Sequence, residues 1–161
     1  MFLSLCERLQ QADWVAAINN SVAASVFVEL THYFSFFLLV GTIVMVDLRI
    51  LGLAGRRQTA AQLAGQLFPL MWTALGFAVL SGFILFAGDA VTFFPNPVFR
   101  AKMGIILLAV ISGLLVQRNA TKWEELPAAP LRAKCAAVIS LALWIGAILA
   151  AVEIPHLTFV P

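Results

Sequence analysis

Residues 22–50 read VAASVFVELTHYFSFFLLVGTIVMVDLRI, an apolar run broken only by Glu29 and His32 near its start and by Asp47 and Arg49 near its end. About 20 apolar residues are enough to cross the hydrocarbon core of a bilayer as a helix. The run is too long and too continuous for a strand, and an open sheet cannot cross lipid because its edge would leave backbone polar groups unpaired. It therefore predicts a membrane-spanning helix.

Three further apolar runs follow, at about 68–94, 98–116 and 131–154. The whole chain of 161 residues is 62% hydrophobic and 11% charged, whereas a soluble domain has about a quarter of its residues charged. We therefore expect an all-α integral membrane protein, an up-and-down four-helix bundle that forms one domain over 22–161. Residues 1–21 have apolar positions at Phe2, Leu5 and Leu9, which predict a short amphipathic helix at the membrane interface.

The distribution of positive charge predicts the orientation of the bundle, because cytoplasmic loops carry an excess of Lys and Arg. The connections between the first and second and between the third and fourth spans hold seven such residues: Arg49, Arg56, Arg57, Arg118, Lys122, Arg132 and Lys134. The opposite side holds three, namely Arg8, Arg100 and Lys102. We expect a multi-pass protein of the bacterial inner membrane with both termini outward, in the periplasm. A net charge of +2 gives no indication of a nucleic-acid partner, so the lipid bilayer is the expected surrounding.

A Glu-x-x-His pair occurs at each end of the bundle sequence, as Glu29 with His32 and as Glu153 with His156, and these are the only two histidines. Ionisable side chains inside apolar spans are costly and often functional. If the first and last spans are antiparallel, His32 lies level with Glu153 and Glu29 lies level with His156. The three other ionisable residues that fall in this outer layer are Asp89, Arg100 and Lys102.

Three uses of this layer are compatible with the residues. The first is haem b, with the imidazole of His32 as axial ligand, His156 as a conceivable second ligand, and Arg100 or Lys102 paired with the propionates. The second is a metal ion held by His32, His156, Glu29 and Glu153. The third is a set of interhelical hydrogen bonds and ion pairs that only fixes the bundle. At the inner boundary, we expect Asp47 and Arg49 to pair with each other.

Several short motifs resemble those of a family of bacterial four-helix membrane proteins classified as a domain of unknown function. They are Glu29-Leu-Thr-His32, Gly41, Val-Asp47-Leu-Arg49-Ile-Leu-Gly52, Leu80-Ser81-Gly82, Leu85-Phe86 and Asn96-Pro97-Val-Phe99-Arg-Ala-Lys102. More distantly, His in the first span and Lys at the start of the third are similar to the CopD-like superfamily. That group includes copper-resistance membrane proteins and the HemJ-type protoporphyrinogen oxidase, which binds haem b.

The resemblance implies that His32 is a haem ligand and that Lys102 is a functional lysine of the third span. The chain lacks the longer aromatic first-helix motif and the later histidines of the HemJ type, so haem or metal binding is what carries over. The leading expectation is a small haem b-binding protein that acts in electron transfer or as a subunit of a redox complex. We expect it to have a membrane or periplasmic redox partner and no catalytic activity of its own. The alternatives are periplasmic-side handling of copper or another divalent metal ion, and a structural subunit, in a larger complex or a homo-oligomer, with no cofactor.

Overall fold

A computed structural model describes the backbone of residues 2–54, 57–124 and 130–158, and the side chains of 2–54, 57–119 and 130–151. Every regular element in this part of the chain is an α-helix. In chain order the helices are α1 (Phe2–Gln10), α2 (Asp13–Asn19), α3 (Val22–Ile50), α4 (Ala60–Gly88), α5 (Ala90–Phe93), α6 (Pro97–Glu124) and α7 (Leu131–Thr158).

The four long helices α3, α4, α6 and α7 are each long and apolar enough to cross a membrane. The prediction of an all-α, four-helix membrane protein is confirmed. The first span has the bounds expected from the sequence, because Ser21 begins it as an N-cap whose side chain accepts a hydrogen bond from the amide of Ala24. After α3 the chain turns at Gly52, whose φ of 77° lies in the region that glycine adopts most readily.

The second span differs from its predicted bounds of 68–94. Its helix α4 begins at Ala60 and ends at Gly88, so both predicted ends were too late in the chain. The early start follows from a capping box, in which the side chain of Thr59 accepts from the amide of Gln62 and the side chain of Gln62 accepts from the amide of Thr59. Pro69 lies inside this helix instead of marking its beginning.

The long helices form two hairpins, α3 with α4 and α6 with α7, which have extensive contacts within each pair. The hairpins meet more sparsely, through α3 against α7 and α4 against α6. One hydrogen bond between them runs from Nε1 of Trp72 to Oε1 of Gln117, at 3.1 Å. We call the end of the bundle that holds the connections after α3 and α6 the loop end, and the opposite end the terminal end.

The core lies mainly towards the loop end. The buried residues of α3 all lie between Leu39 and Ile50. The apolar ones among them pack in one hydrophobic cluster with Phe68 and Met71 of α4 and with Trp144 of α7. No residue of α3 between 22 and 38, and no residue of α6 between 97 and 108, is buried. The terminal half of the bundle is therefore the more open half.

The N-terminal segment lies against the terminal end. The amphipathic helix predicted over this segment is in fact two helices, because the chain bends at Gln11 and Ala12 between α1 and α2. The side chain of Val15 is 1% exposed and anchors α2. Nδ2 of Asn19 donates to the carbonyl of Gly88, at 3.2 Å, and so ties α2 to the last residue of α4.

Candidate functional site

His32 lies on the face of α3 that meets α4, in the terminal half of the bundle. Its side chain is half-buried. Nδ1 lies 3.1 Å from the carbonyl oxygen of Ala78 and 3.2 Å from Oγ of Ser81. Both partners belong to one turn of α4, because residues three apart on a helix share a face. The imidazole is thus fixed to the neighbouring helix through one of its two ring nitrogens.

These bonds assign the tautomer of His32. A backbone carbonyl can only accept a hydrogen bond, so Nδ1 must carry the hydrogen that it donates to Ala78. The hydroxyl of Ser81 already donates to the carbonyl of Phe77, at 2.6 Å, which leaves its oxygen to accept from Nδ1 as well. In neutral His32 the lone pair therefore lies on Nε2, which has no hydrogen-bond partner among the described residues.

Gly82 gives the imidazole its space. A Cβ atom at position 82 would lie 2.9 Å from Cε1 of His32 and 3.3 Å from Nδ1, closer than such atoms pack. Gly76, six residues earlier on the same helix, has nothing within 4 Å of the corresponding position. The glycine after Ser81 is therefore specifically suited to a ring lying against α4.

Lys102 of α6 is the charged neighbour of His32. Its side chain is half-buried, and its positive charge acts electrostatically on the imidazole of His32. No carboxylate pairs with it among the described side chains. Arg100 is exposed; residues two apart on a helix do not face each other. The structure thus brings Lys102, and not Arg100, towards the histidine.

The acidic residues of the predicted layer are placed differently. Glu29 is exposed on α3 and forms no ion pair with a described residue. Asp89 was expected inside the second span, but it lies beyond the end of α4, where it precedes α5. It lines a cavity of about 260 Å³ together with Glu7 of α1, and His32 is not among the residues that line it.

The side chains of Glu153 and His156 lie outside the described residues, although their backbone continues α7. The predicted four-member cluster with Glu29 and His32 therefore stays a prediction. Within the described part of the chain, no three His, Cys, Asp or Glu side chains come together in a way that could hold a metal ion.

Asp47 is a polar residue whose position the sequence did not predict. The expected pair with Arg49 is not formed: Nε of Arg49 donates to the carbonyl of Gln58, and Asp47 is 1% exposed in the loop half of the bundle. Its Oδ2 has no hydrogen-bond partner, and neither do Oγ of Ser140 and Nε1 of Trp144 on α7. The sequence shows that an Asp interrupts this apolar run, but it does not predict which helix the side chain faces.

No protein-family model, no curated protein and no solved structure matches this chain.

Proposed function

We propose that this chain is a small multi-pass protein of the bacterial inner membrane, with both termini outward, that binds haem b through His32. The observation that supports this most directly is the fixed imidazole, with its Nδ1 hydrogen donated to Ala78 and its Nε2 lone pair unused. Histidines that ligate metals almost always donate their other ring N–H in this way, commonly to a backbone carbonyl. A neutral imidazole with a bare nitrogen is a standard axial ligand of haem iron.

The surroundings of His32 fit a porphyrin in two respects. Ser25, Val28 and Ser35, which share its face in the terminal half of α3, are only half-buried, so a ring bound beside them would not displace the core. Lys102, which has no carboxylate partner in the described part of the chain, would pair with a propionate.

A bound haem would supply one-electron redox chemistry at this end of the bundle. His32 would hold the ring through Nε2, and its hydrogen bonds to Ala78 and Ser81 would fix the orientation of that ligand. The function that follows is electron transfer, or a redox subunit in a larger membrane complex that meets a membrane or periplasmic partner. No catalytic group is proposed beside the ligand.

The test is an optical titration of the full chain, purified in detergent, with haem b. We expect a Soret band that differs from that of free haem and saturates at one haem per chain. His32→Ala should remove this difference, whereas Tyr33→Phe, a matched change at the next residue of the same helix, should keep it. An unchanged haem spectrum at saturation, or identical titrations for wild type and His32→Ala, would refute the proposal.

Elemental analysis of the same preparation distinguishes the alternative of metal handling. A stoichiometric metal ion without haem, lost on changing Glu29 or His156, would indicate the site of His32, His156, Glu29 and Glu153. Stable co-purification with other membrane proteins, unaffected by changes at His32, would indicate a structural subunit.

A further inference from the structure

Three polar groups lie buried, without hydrogen-bond partners, where α3 meets α7 in the loop half of the bundle. They are Oδ2 of Asp47, Oγ of Ser140 and Nε1 of Trp144. The three side chains are 1%, 0% and 1% exposed, so neither lipid nor bulk water reaches them. Buried polar groups in proteins are nearly always hydrogen-bonded, either to protein or to ordered water. Three buried polar atoms without hydrogen-bond partners at one helix interface therefore indicate an additional ligand.

The three groups face one seam between the two helices. The hydroxyl of Ser140 is close enough to the carboxyl of Asp47 to interact with it, yet no direct hydrogen bond joins the two atoms. Ser140 and Trp144 are one turn apart on α7 and share a face. The indole of Trp144 lies at the interface of α7 with α3. Its ring also contacts Phe36 of α3, edge to face, at 6.1 Å between centroids.

The hydrogen-bonding capacities of the three side chains indicate which ligand they bind. The carboxyl of Asp47 can accept hydrogen bonds, the indole of Trp144 can only donate, and the hydroxyl of Ser140 can do both. An N–H donor is unfavourable beside a metal cation, whereas a water molecule both donates and accepts. Internal waters typically make about three hydrogen bonds to buried polar groups that would otherwise be unsatisfied.

We propose that Asp47, Ser140 and Trp144 form an internal hydration site, in which a water molecule joins the three side chains and exchanges a proton with the carboxyl of Asp47. In this step the O–H bond of the acid breaks and water takes the proton as hydronium; the reverse step restores the acid. The proposal is independent of haem binding at His32.

Few other charges act on this site. On α3 itself, Arg49 is engaged with the carbonyl of Gln58, and α4 contains no charged residue. On α7, Arg132 and Lys134 are exposed, and so is Arg118 of α6, which packs on α7. Among the described side chains, Asp47 is thus the one ionisable group at this seam, and a proton exchanged there can be assigned to it.

The first experiment detects the water by synchrotron radiolysis of the wild-type chain in detergent. Hydroxyl radicals formed from a bound water oxidise the side chains beside it, even where bulk solvent has no access. We expect oxidation of Trp144 and none of Met71, which is also buried, at 4% exposed, in the same hydrophobic cluster but is not one of the three side chains of the proposed site. Equal protection of Trp144 and Met71 would overturn the proposal without any mutation.

The second experiment follows the proton by infrared spectroscopy as the pH is changed, in H₂O and in D₂O. We expect a pH-dependent carboxyl C=O band that shifts in D₂O, is absent from Asp47→Asn and moves in frequency in Ser140→Ala. Asp13→Asn, at an exposed position of α2, should keep the band. A pH-difference spectrum of Asp47→Asn identical to that of wild type would overturn the assignment, as would a band that does not respond to D₂O.

Discussion

His32 occupies the space that a side chain at position 82 would need, with Cε1 lying 2.9 Å from where a Cβ of Gly82 would be. The same ring bonds Ala78 and Ser81 on that helix. One histidine of α3 therefore meets three residues of α4 within little more than a turn. This contact joins the two helices where few other buried residues do so, because the core lies mainly in the loop half.

We expect Gly82→Ala to displace the imidazole and to break its bonds to Ala78 and Ser81. Overpacking a closely fitted site costs roughly 1–3 kcal/mol, so the unfolding free energy of the chain in detergent should fall by that order. Haem binding should weaken in parallel, because Nε2 is no longer held in one orientation. Thermal unfolding and the haem titration measure the two effects.

Gly76→Ala is the matched control. It lies on the same helix and has nothing within 4 Å of its Cβ position. Alanine is the better helix former, so this variant should be as stable as wild type or slightly more so. Equal stability and haem affinity of the two variants would show that the close approach at Gly82 does not matter.

The sequence predicted the number of spans and the full extent of α3 because these depend on long apolar runs. It failed at the start of α4, where residues 60–67 mix small, apolar and amide side chains and Pro69 looks like a boundary. The helix begins at Ala60 because of a local hydrogen-bonded cap at Thr59 and Gln62. Such a cap is short, and it is easily overlooked beside a strong hydropathy signal.

We expect Ser81→Ala to have a milder effect than Gly82→Ala. It removes one of the two acceptors of Nδ1 but leaves the carbonyl of Ala78 at 3.1 Å. Interhelical hydrogen bonds in membrane proteins contribute about 0.6 kcal/mol on average, and the loss of unfolding free energy should be of that size. Thr73→Ala serves as the control, because the hydroxyl of Thr73 bonds only the carbonyl of Leu70 on its own helix. A loss as large for Thr73→Ala would contradict the interhelical role.

The helices that His32 and Asp47 face could not be predicted, for a common reason. The long helices are apolar on all sides, so the period of their hydrophobic residues does not reveal which face meets a neighbour. The pairing of α3 with α4 at one face and with α7 at another is set by packing. Lys102, by contrast, could be assigned to the same layer as His32 from the expected depth of both residues, and its charge does act on the imidazole.

Lys102→Met should separate haem binding from stability. Since no carboxylate pairs with Lys102 in the described part of the chain, methionine should leave the unfolding free energy unchanged or raise it. A lost charge-assisted bond to a propionate costs about 1.5–3 kcal/mol, so the haem dissociation constant should rise about tenfold or more. Arg100→Met, at an exposed position, is the control. Equal haem affinities for both variants would exclude the role assigned to Lys102.

The helix α2 is attached to the terminal end of the bundle partly by one hydrogen bond of Asn19. Asn19→Ala removes the hydrogen bond from Nδ2 to the carbonyl of Gly88, and a typical hydrogen bond contributes about 0.5–1.5 kcal/mol. Amide hydrogen exchange in α2 should therefore become several-fold faster, because the local opening of this short helix costs less free energy, while exchange in the loop half stays unchanged. Asn20→Ala is the control, since the side chain of Asn20 forms no hydrogen bond with a described residue. Unchanged exchange in Asn19→Ala would mean that Val15, buried against its neighbours, holds α2 without help from the asparagine.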